Sequence, residues 1–248
     1  MLRLENVKVR YGDFQAVSSV SLEIGEGERT ALIGTNGSGK STLLKAVSGL
    51  MAPSGGRIFF KERDVTGFPA EKLVQLGLSL VPAGGRCFSR MSVEDNLIVG
   101  SYPRSSRKKV KDSLDFVYSL FPALGEMRKM QAGNLSGGQR QMTAIGRALM
   151  SRPSCILFDE ISLGLSPITV RDVYACLRRL NQEEKMTELF VEQDFDRVIT
   201  EAETCFVMRK GEIVLSGRTE DLDREAVREA YFGTEAEERT EPWNSFSS

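Results

Sequence analysis

The sequence predicts an α/β fold: short apolar strands alternating with helices, an antiparallel β portion beside them, and an inserted all-helical portion. Three observations carry this. An apolar run at 31–33 enters a loop bearing Gly34, Gly37 and Gly39 and leaves it through Lys40-Ser41-Thr42 into an apolar-periodic stretch at 43–50, which reads as strand, glycine loop and helix. A second apolar strand, from residue 154, ends in Asp159 and Glu160, at the strand end where open α/β sheets bind ligands. From residue 93 to about 150 strand signals disappear and helical patterns replace them, as an insertion within a sheet domain would require.

The glycine loop has a chemical reason for its spacing. Residues Gly34, Thr35, Asn36, Gly37, Ser38, Gly39, Lys40 and Ser41 fit G-x-x-x-x-G-K-[ST], and Thr42 follows. A triphosphate must be wrapped by backbone N–H groups, and glycine lets the main chain come that close. The helix opening near Lys40 presents free N–H groups and its positive dipole end to the same phosphates. Lys40 is expected to reach the β- and γ-phosphates and Ser41 to ligate Mg²⁺. Asp159 is expected in the Mg²⁺ shell, directly or through water. Glu160, one residue further, is placed to orient or deprotonate an attacking water. A chance glycine turn, or a strand end with solvated acids, would explain either stretch alone, but the flanking elements favour the paired reading.

Composition limits what else the chain does. The 248 residues are 41% hydrophobic and 27% charged with a net charge of −1, so nothing points to nucleic acid as a partner. There are no histidines, which excludes histidine triads and imidazole metal sites. The four cysteines form no C-x-x-C pair and no leader pattern is present, so a reducing cytoplasmic setting is expected. No apolar run approaches the roughly 18 residues of a membrane span. Any membrane role therefore runs through partners.

The remaining elements follow in order. Alternation at 2–10 and 20–24 predicts antiparallel strands. Tyr11 lies between them and either stacks on an adenine ring or is an ordinary strand-end tyrosine. A strand at 57–60, a helix at 70–76 and a strand at 78–81 come next, and the loop at 83–86 bends towards the nucleotide. Ser92 reads as an N-cap, and the basic cluster at 103–111 as a solvated helix face. Beyond the acidic strand come a helix at 170–180, a strand at 187–191, a helix at 195–202, a hairpin at 204–215 around Lys210-Gly211 and a last helix at 223–231. The acidic tail from Gly233 is expected to be disordered. The expected layout is a single domain over 2–232, with a nucleotide-binding core and β subdomain at 1–83 and 154–232, a helical subdomain at 84–153, and the tail at 233–248.

Ser136, Gly137, Gly138 and Gln139 begin another helix and form a second anion site through free N–H groups and the dipole. A helix from there to about residue 150 is roughly 20 Å long and leads back towards the Asp159 strand, holding the cap away from the chain's own glycine loop. The economical arrangement is head-to-tail. Two domains then sandwich two ATP molecules, each loop closed by the other domain's cap.

Taken together these motifs resemble the ATP-binding subunits of ABC transporters, with Walker A at 34–42, the signature at 135–139 and Walker B at 155–159 followed by Glu160. The resemblance implies a P-loop NTPase (RecA-like) core, ATP and Mg²⁺ as cofactors, and Glu160 as the catalytic base. Within the superfamily Val81-Pro82, Arg86, Phe88 and the stretches 93–97, 144–153, 162–167, 191–193 and 227–233 look like the LivF-type ATPase of branched-chain amino acid importers. That implies a second ATPase subunit in a heterodimer or homodimer, two membrane permease subunits, a periplasmic substrate-binding protein, and a peripheral position on the cytoplasmic face of the membrane. The chain departs from the pattern at four positions. Ala83 stands where a glutamine or glutamate is usual, Gln193 at the switch-histidine position, Ile161 where the family has proline, and Ser166 in place of an aspartate. These departures imply two unequal composite sites, the one built on this chain's Walker motifs being the slower. Competing readings are a weakly hydrolysing nucleotide-gated subunit, a urea or short-amide importer ATPase, and a soluble ABC protein acting on DNA or ribosomes. The last needs coiled-coil arms or paired ATPase domains, which the sequence lacks.

Overall fold

The computed structural model describes residues 1–233, apart from the side chains of Arg104 and Ser105, so the tail predicted to be disordered lies outside the described residues beyond Gly233. The strands are β1 (Leu2–Tyr11), β2 (Phe14–Ile24), β3 (Arg29–Ile33), β4 (Gly55–Phe60), β5 (Arg63–Asp64), β6 (Leu78–Val81), β7 (Cys155–Asp159), β8 (Thr187–Glu192), β9 (Thr204–Arg209) and β10 (Glu212–Arg218). The helices are α1 (Lys40–Val47), α2 (Ala70–Leu76), α3 (Val93–Val99), α4 (Arg104–Arg107), α5 (Val110–Leu120), α6 (Pro122–Glu126), α7 (Gly137–Leu149), α8 (Pro167–Glu184), α9 (Phe195–Glu201) and α10 (Arg224–Phe232).

The strands form one mixed sheet in the order β5-β4-β1-β2-β10-β9-β3-β8-β7-β6. β3 lies between β8 and β9, parallel to both, while β1, β2, β4 and β5 pair antiparallel. Strands covered on both faces read as continuous apolar runs, and their alternate residues go to different cores. Leu32, Leu157 and Leu189 pack with Leu43 and Val47 of α1, whereas Ile156, Phe158 and Phe190 pack with Ile145, Tyr174 and Leu177 from the helices. Ala31 and Ile33 face Val198 and Val227 on α9 and α10. Each fully buried aliphatic side chain contributes about 1.5–3 kcal/mol. The three helix-covered cores thus fix the carboxyl ends of β3, β7 and β8 side by side.

Several element ends differ from the sequence expectation for visible reasons. β2 begins at Phe14 rather than residue 20, because Phe14 pairs with Tyr11 across the turn at Gly12-Asp13 while Ala16-Val17 and Ser18-Ser19 break the apolar-polar alternation. α1 stops at Val47 because Gly49 has φ +73° and any Cβ there would meet Ala70 N at 2.8 Å. α8 runs further both ways, with Ser166 Oγ accepting from Thr169 N as N-cap, Pro167 in the first turn, and Lys185 left-handed at the end. Ser166 therefore has a capping role. Ile161 is buried in the helical core, which accounts for an apolar residue at that position. In the basic cluster Arg107, Lys108, Lys109 and Lys111 are exposed, while Ser106 is buried and donates to Ser151 O at 2.9 Å. Among the described residues no helix is long and apolar enough to cross a membrane.

Candidate active site

β3 delivers the chain into the glycine loop, and the sheet grips that loop from two sides. Gly211 N in the β9–β10 turn donates to Ser38 O at 2.9 Å, and Ser18 N of β2 donates to Gly211 O at 2.9 Å. Gly39 has φ +107°, and a Cβ on it would meet Ala16 O at 2.6 Å, so only glycine fits there. α1 then opens at Lys40 with no acid in its first turn, leaving its N–H groups for an anion. Ser38 Oγ is buried with no hydrogen-bond partner among the described residues. A cradle of N–H groups, an unpaired hydroxyl and a cation is what a polyphosphate fits.

Lys40 is buried and its ammonium donates to Gly34 O at 2.7 Å and Thr35 O at 2.9 Å. Burial lowers its pKa, while Glu160, Asp159 and Glu192 oppose that shift. Ser41 Oγ donates to Asp159 Oδ1 at 2.9 Å, joining the start of α1 to the end of β7. Burial raises the Asp159 pKa, the bond from Ser41 opposes it, and neighbouring Glu160 adds to it. Two hard oxygens from Ser41 and Asp159 suit Mg²⁺, which takes few protein ligands and completes its shell with phosphate and water. Among the described residues no cluster of three or more histidines, cysteines or acids would hold a metal unaided.

Glu160 follows Asp159 with a left-handed φ of +46°, a conformation uncommon outside glycine. Gln193 Nε2 donates to Glu160 Oε1 at 2.8 Å. The structure thus brings Lys40, Ser41, Asp159, Glu160 and Gln193 together from three separate stretches. Tyr11 ends β1 with its ring 44% exposed and its hydroxyl 3.5 Å from Thr42 Oγ1, beside the loop helix. Thr35, Asn36 and Gly37 form the outer rim of the loop.

The Ser136 cap is built separately. Ser136 Oγ accepts from Gln139 N and Gln139 Oε1 accepts from Ser136 N, a capping box at the start of α7. Gly137 and Gly138 lie against Leu165 and Thr169 at the start of α8. Among the described residues no hydrogen bond links 136–139 to 34–42. The loop after β6 is tied to the same helix, since Arg147 donates to Arg86 O, Cys87 Sγ to Arg140 O at 3.4 Å, and Gly85 would meet Gln141 N at 2.9 Å with any Cβ. Ala83 offers this loop only a methyl group.

Sequence reasoning missed four residues around the site. Glu192, buried at the end of β8, accepts from Tyr174 Oη at 2.6 Å and Ser162 Oγ at 2.7 Å. Tyr231 Oη donates to Gln193 O at 3.4 Å from α10. An acid directly after the apolar run Leu189-Phe190-Val191 was the available signal for Glu192; for Ser162, Tyr174 and Tyr231 the sequence carries none.

Comparison with known proteins bears on the family and the fold. The ABC transporter family model matches residues 17–162. The high-affinity branched-chain amino acid transport ATP-binding protein BraG of Pseudomonas aeruginosa is 38% identical over 94% of this chain and 100% of its own length. The fold superposes on the ADP conformation of an ABC transporter ATP-binding cassette with a TM-score of 0.80 and 28% identity, covering 96% of this chain and 97% of that one. It also superposes on a dimeric structure of a bacterial ABC transporter cassette with a TM-score of 0.75 and 27% identity, covering 88% and 99%. The family resemblance and the P-loop α/β fold expected from the motifs are borne out: the chain belongs to the ABC transporter family, as a nucleotide-binding ATPase subunit.

Proposed function

We propose that this chain is the ATPase subunit of an importer for branched-chain or other hydrophobic amino acids, working head-to-tail with a second ATPase subunit on the cytoplasmic face of the membrane. The observation that carries the reading is the convergence of Lys40, Ser41, Asp159, Glu160 and Gln193 at the adjoining carboxyl ends of β3, β7 and β8. Lys40 offsets charge on the terminal phosphates, and the loop N–H groups and α1 dipole hold them in place. Ser41 and Asp159 hold Mg²⁺, which when bound neutralises developing phosphate charge. Glu160 orients the attacking water and accepts its proton, and Gln193 fixes the carboxylate's direction. Tyr11 supplies an exposed aromatic face for the base.

Ser136, Gly137, Gly138 and Gln139 serve the neighbouring subunit's nucleotide. That no hydrogen bond links them to 34–42 among the described residues supports this, as does the dimeric relative. Two permease subunits and a periplasmic receptor complete the machine, cargo specificity lying with them; the name of the Pseudomonas relative supports amino acids. A groove of about 420 Å³ lined by Phe88, Val99, Tyr102 and Arg147 supports docking of a membrane subunit, since Phe88 and Tyr102 are exposed.

The test is co-purification with the two membrane subunits and reconstitution with the receptor in liposomes. Leucine-loaded receptor stimulates ATP hydrolysis, and Glu160→Gln abolishes leucine uptake. Stimulation by urea or acetamide instead of leucine would replace the cargo assignment. Ala83 favours a second reading, a nucleotide-gated subunit with slow turnover. Comparing Glu160→Gln here with the matching change in the partner separates them. Equal losses contradict unequal sites.

A further inference from the structure

Three cross-links join residues 160–162 to residues 191–193. Glu160 N donates to Val191 O at 3.0 Å, Ser162 Oγ to Glu192 Oε2 at 2.7 Å, and Gln193 Nε2 to Glu160 Oε1 at 2.8 Å. The middle link is held from behind. Tyr174 Oη donates to the other oxygen of Glu192 at 2.6 Å, and its ring, 2% exposed, packs against Phe190 with centroids 5.5 Å apart. Glu192 is itself 3% exposed.

We infer that Glu192 is a positioning residue for ATP hydrolysis, transmitting the rigidity of α8 through Tyr174 and Ser162 to the loop that carries Glu160 and to the adjoining Gln193. The inference rests on the assignment of Glu160 as base and deepens it. A left-handed non-glycine residue persists only where its surroundings hold it, and Glu160 is bracketed by a backbone bond on one side and the Ser162 bond on the other. Both donors to Glu192 are hydroxyls, so the site needs two acceptors. A carboxylate supplies both, and a glutamine supplies one. The bonds are short and charge-assisted, and they sit in a core layer that resists small displacements. Freeing the loop by even 1 Å would misdirect the Glu160 carboxylate, which loosens geometry and leaves phosphate binding by 34–42 intact.

The experiment measures steady-state ATP hydrolysis and fluorescent-ATP binding by the full chain in its transporter complex, for Ser162→Ala, Ser162→Thr, Glu192→Gln and Gln193→Ala. Ser162→Ala should lower kcat roughly 10-fold at unchanged KM and nucleotide affinity, as misorientation at a distance does. Ser162→Thr should restore it. Ser162→Ala combined with Gln193→Ala should be no slower than Gln193→Ala alone, because both act through Glu160. Glu192→Gln should match Ser162→Ala; since Ser162 is only half-buried, its variant reports even if Glu192→Gln fails to fold. An unchanged kcat with a lowered melting temperature, or multiplicative losses in the double variant, would overturn the inference. Turnover surviving in Glu160→Gln would instead remove the base assignment on which it stands.

Discussion

The side-chain amide of Gln193 donates to Glu160 Oε1 at 2.8 Å, across from the end of β8 to the end of β7. A neutral amide holds this bond at every physiological pH, whereas an imidazole at the same place would change charge between pH 5 and 8. Gln193→Ala should lower kcat on the order of 10-fold with little change in KM. Steady-state ATPase kinetics of the assembled complex provide the check.

Lys40 is held by two loop carbonyls and surrounded by the charges of Asp159, Glu160 and Glu192. Removing the ammonium leaves those acids facing the phosphates without a counter-charge. Lys40→Met should therefore abolish measurable Mg-ATP binding in a fluorescent-nucleotide titration.

Ser136 caps α7 and, in the head-to-tail reading, contacts the neighbour's nucleotide. Ser136→Ala removes an N-cap worth about 1 kcal/mol, so melting should fall by roughly 2–4 °C for a chain of this size. Nucleotide affinity of the chain alone should not change. Hydrolysis in the assembled complex should fall further than that stability loss accounts for, as paired calorimetry and ATPase assays would reveal.

At the opposite end of β8, Glu188 is buried against Arg29, Nε to Oε2 at 2.8 Å. Desolvation pushes its pKa from 4.5 up to about 7, with Arg29 opposing the shift. The folded state thus binds this proton more tightly than the unfolded chain. Its contribution to stability is fully present below pH 4.5 and is lost as pH rises through about 7. Glu188→Gln should flatten the fall of melting temperature over that window, measured as the difference from the unsubstituted chain, because Asp159 and Glu192 shift in the same direction.

The glycine loop and the acidic strand end were legible because their patterns are local: the motif spacing places Lys40 and Ser41 where the loop meets a helix, the apolar run places Asp159 at a strand end, and Ser41 meets Asp159 in the fold. The buried strands β3, β7 and β8 were legible as apolar runs. What escaped depends on long-range contact. β5 is only Arg63–Asp64 and has no pattern to read, and the first half of β2, with Ala16-Val17 and Ser18-Ser19 side by side, breaks the alternation and is strand because β1 pairs with it. The Glu192–Ser162–Tyr174 cluster draws on three elements, each polar residue looking ordinary in its own stretch. Gln193 drew notice at the motif position, but its bond to Glu160 required the turn at the end of β8 to be seen.

The most direct measurement is a structure of the Glu160→Gln chain with Mg-ATP and its ATPase partner, at a resolution that shows the γ-phosphate. The expected result is a γ-phosphate held by Lys40 and the loop of one subunit and closed by the serine-glycine cap of the other, with Ser136 of this chain on its neighbour's nucleotide. A Ser136 cap folded onto the γ-phosphate of its own subunit would contradict it.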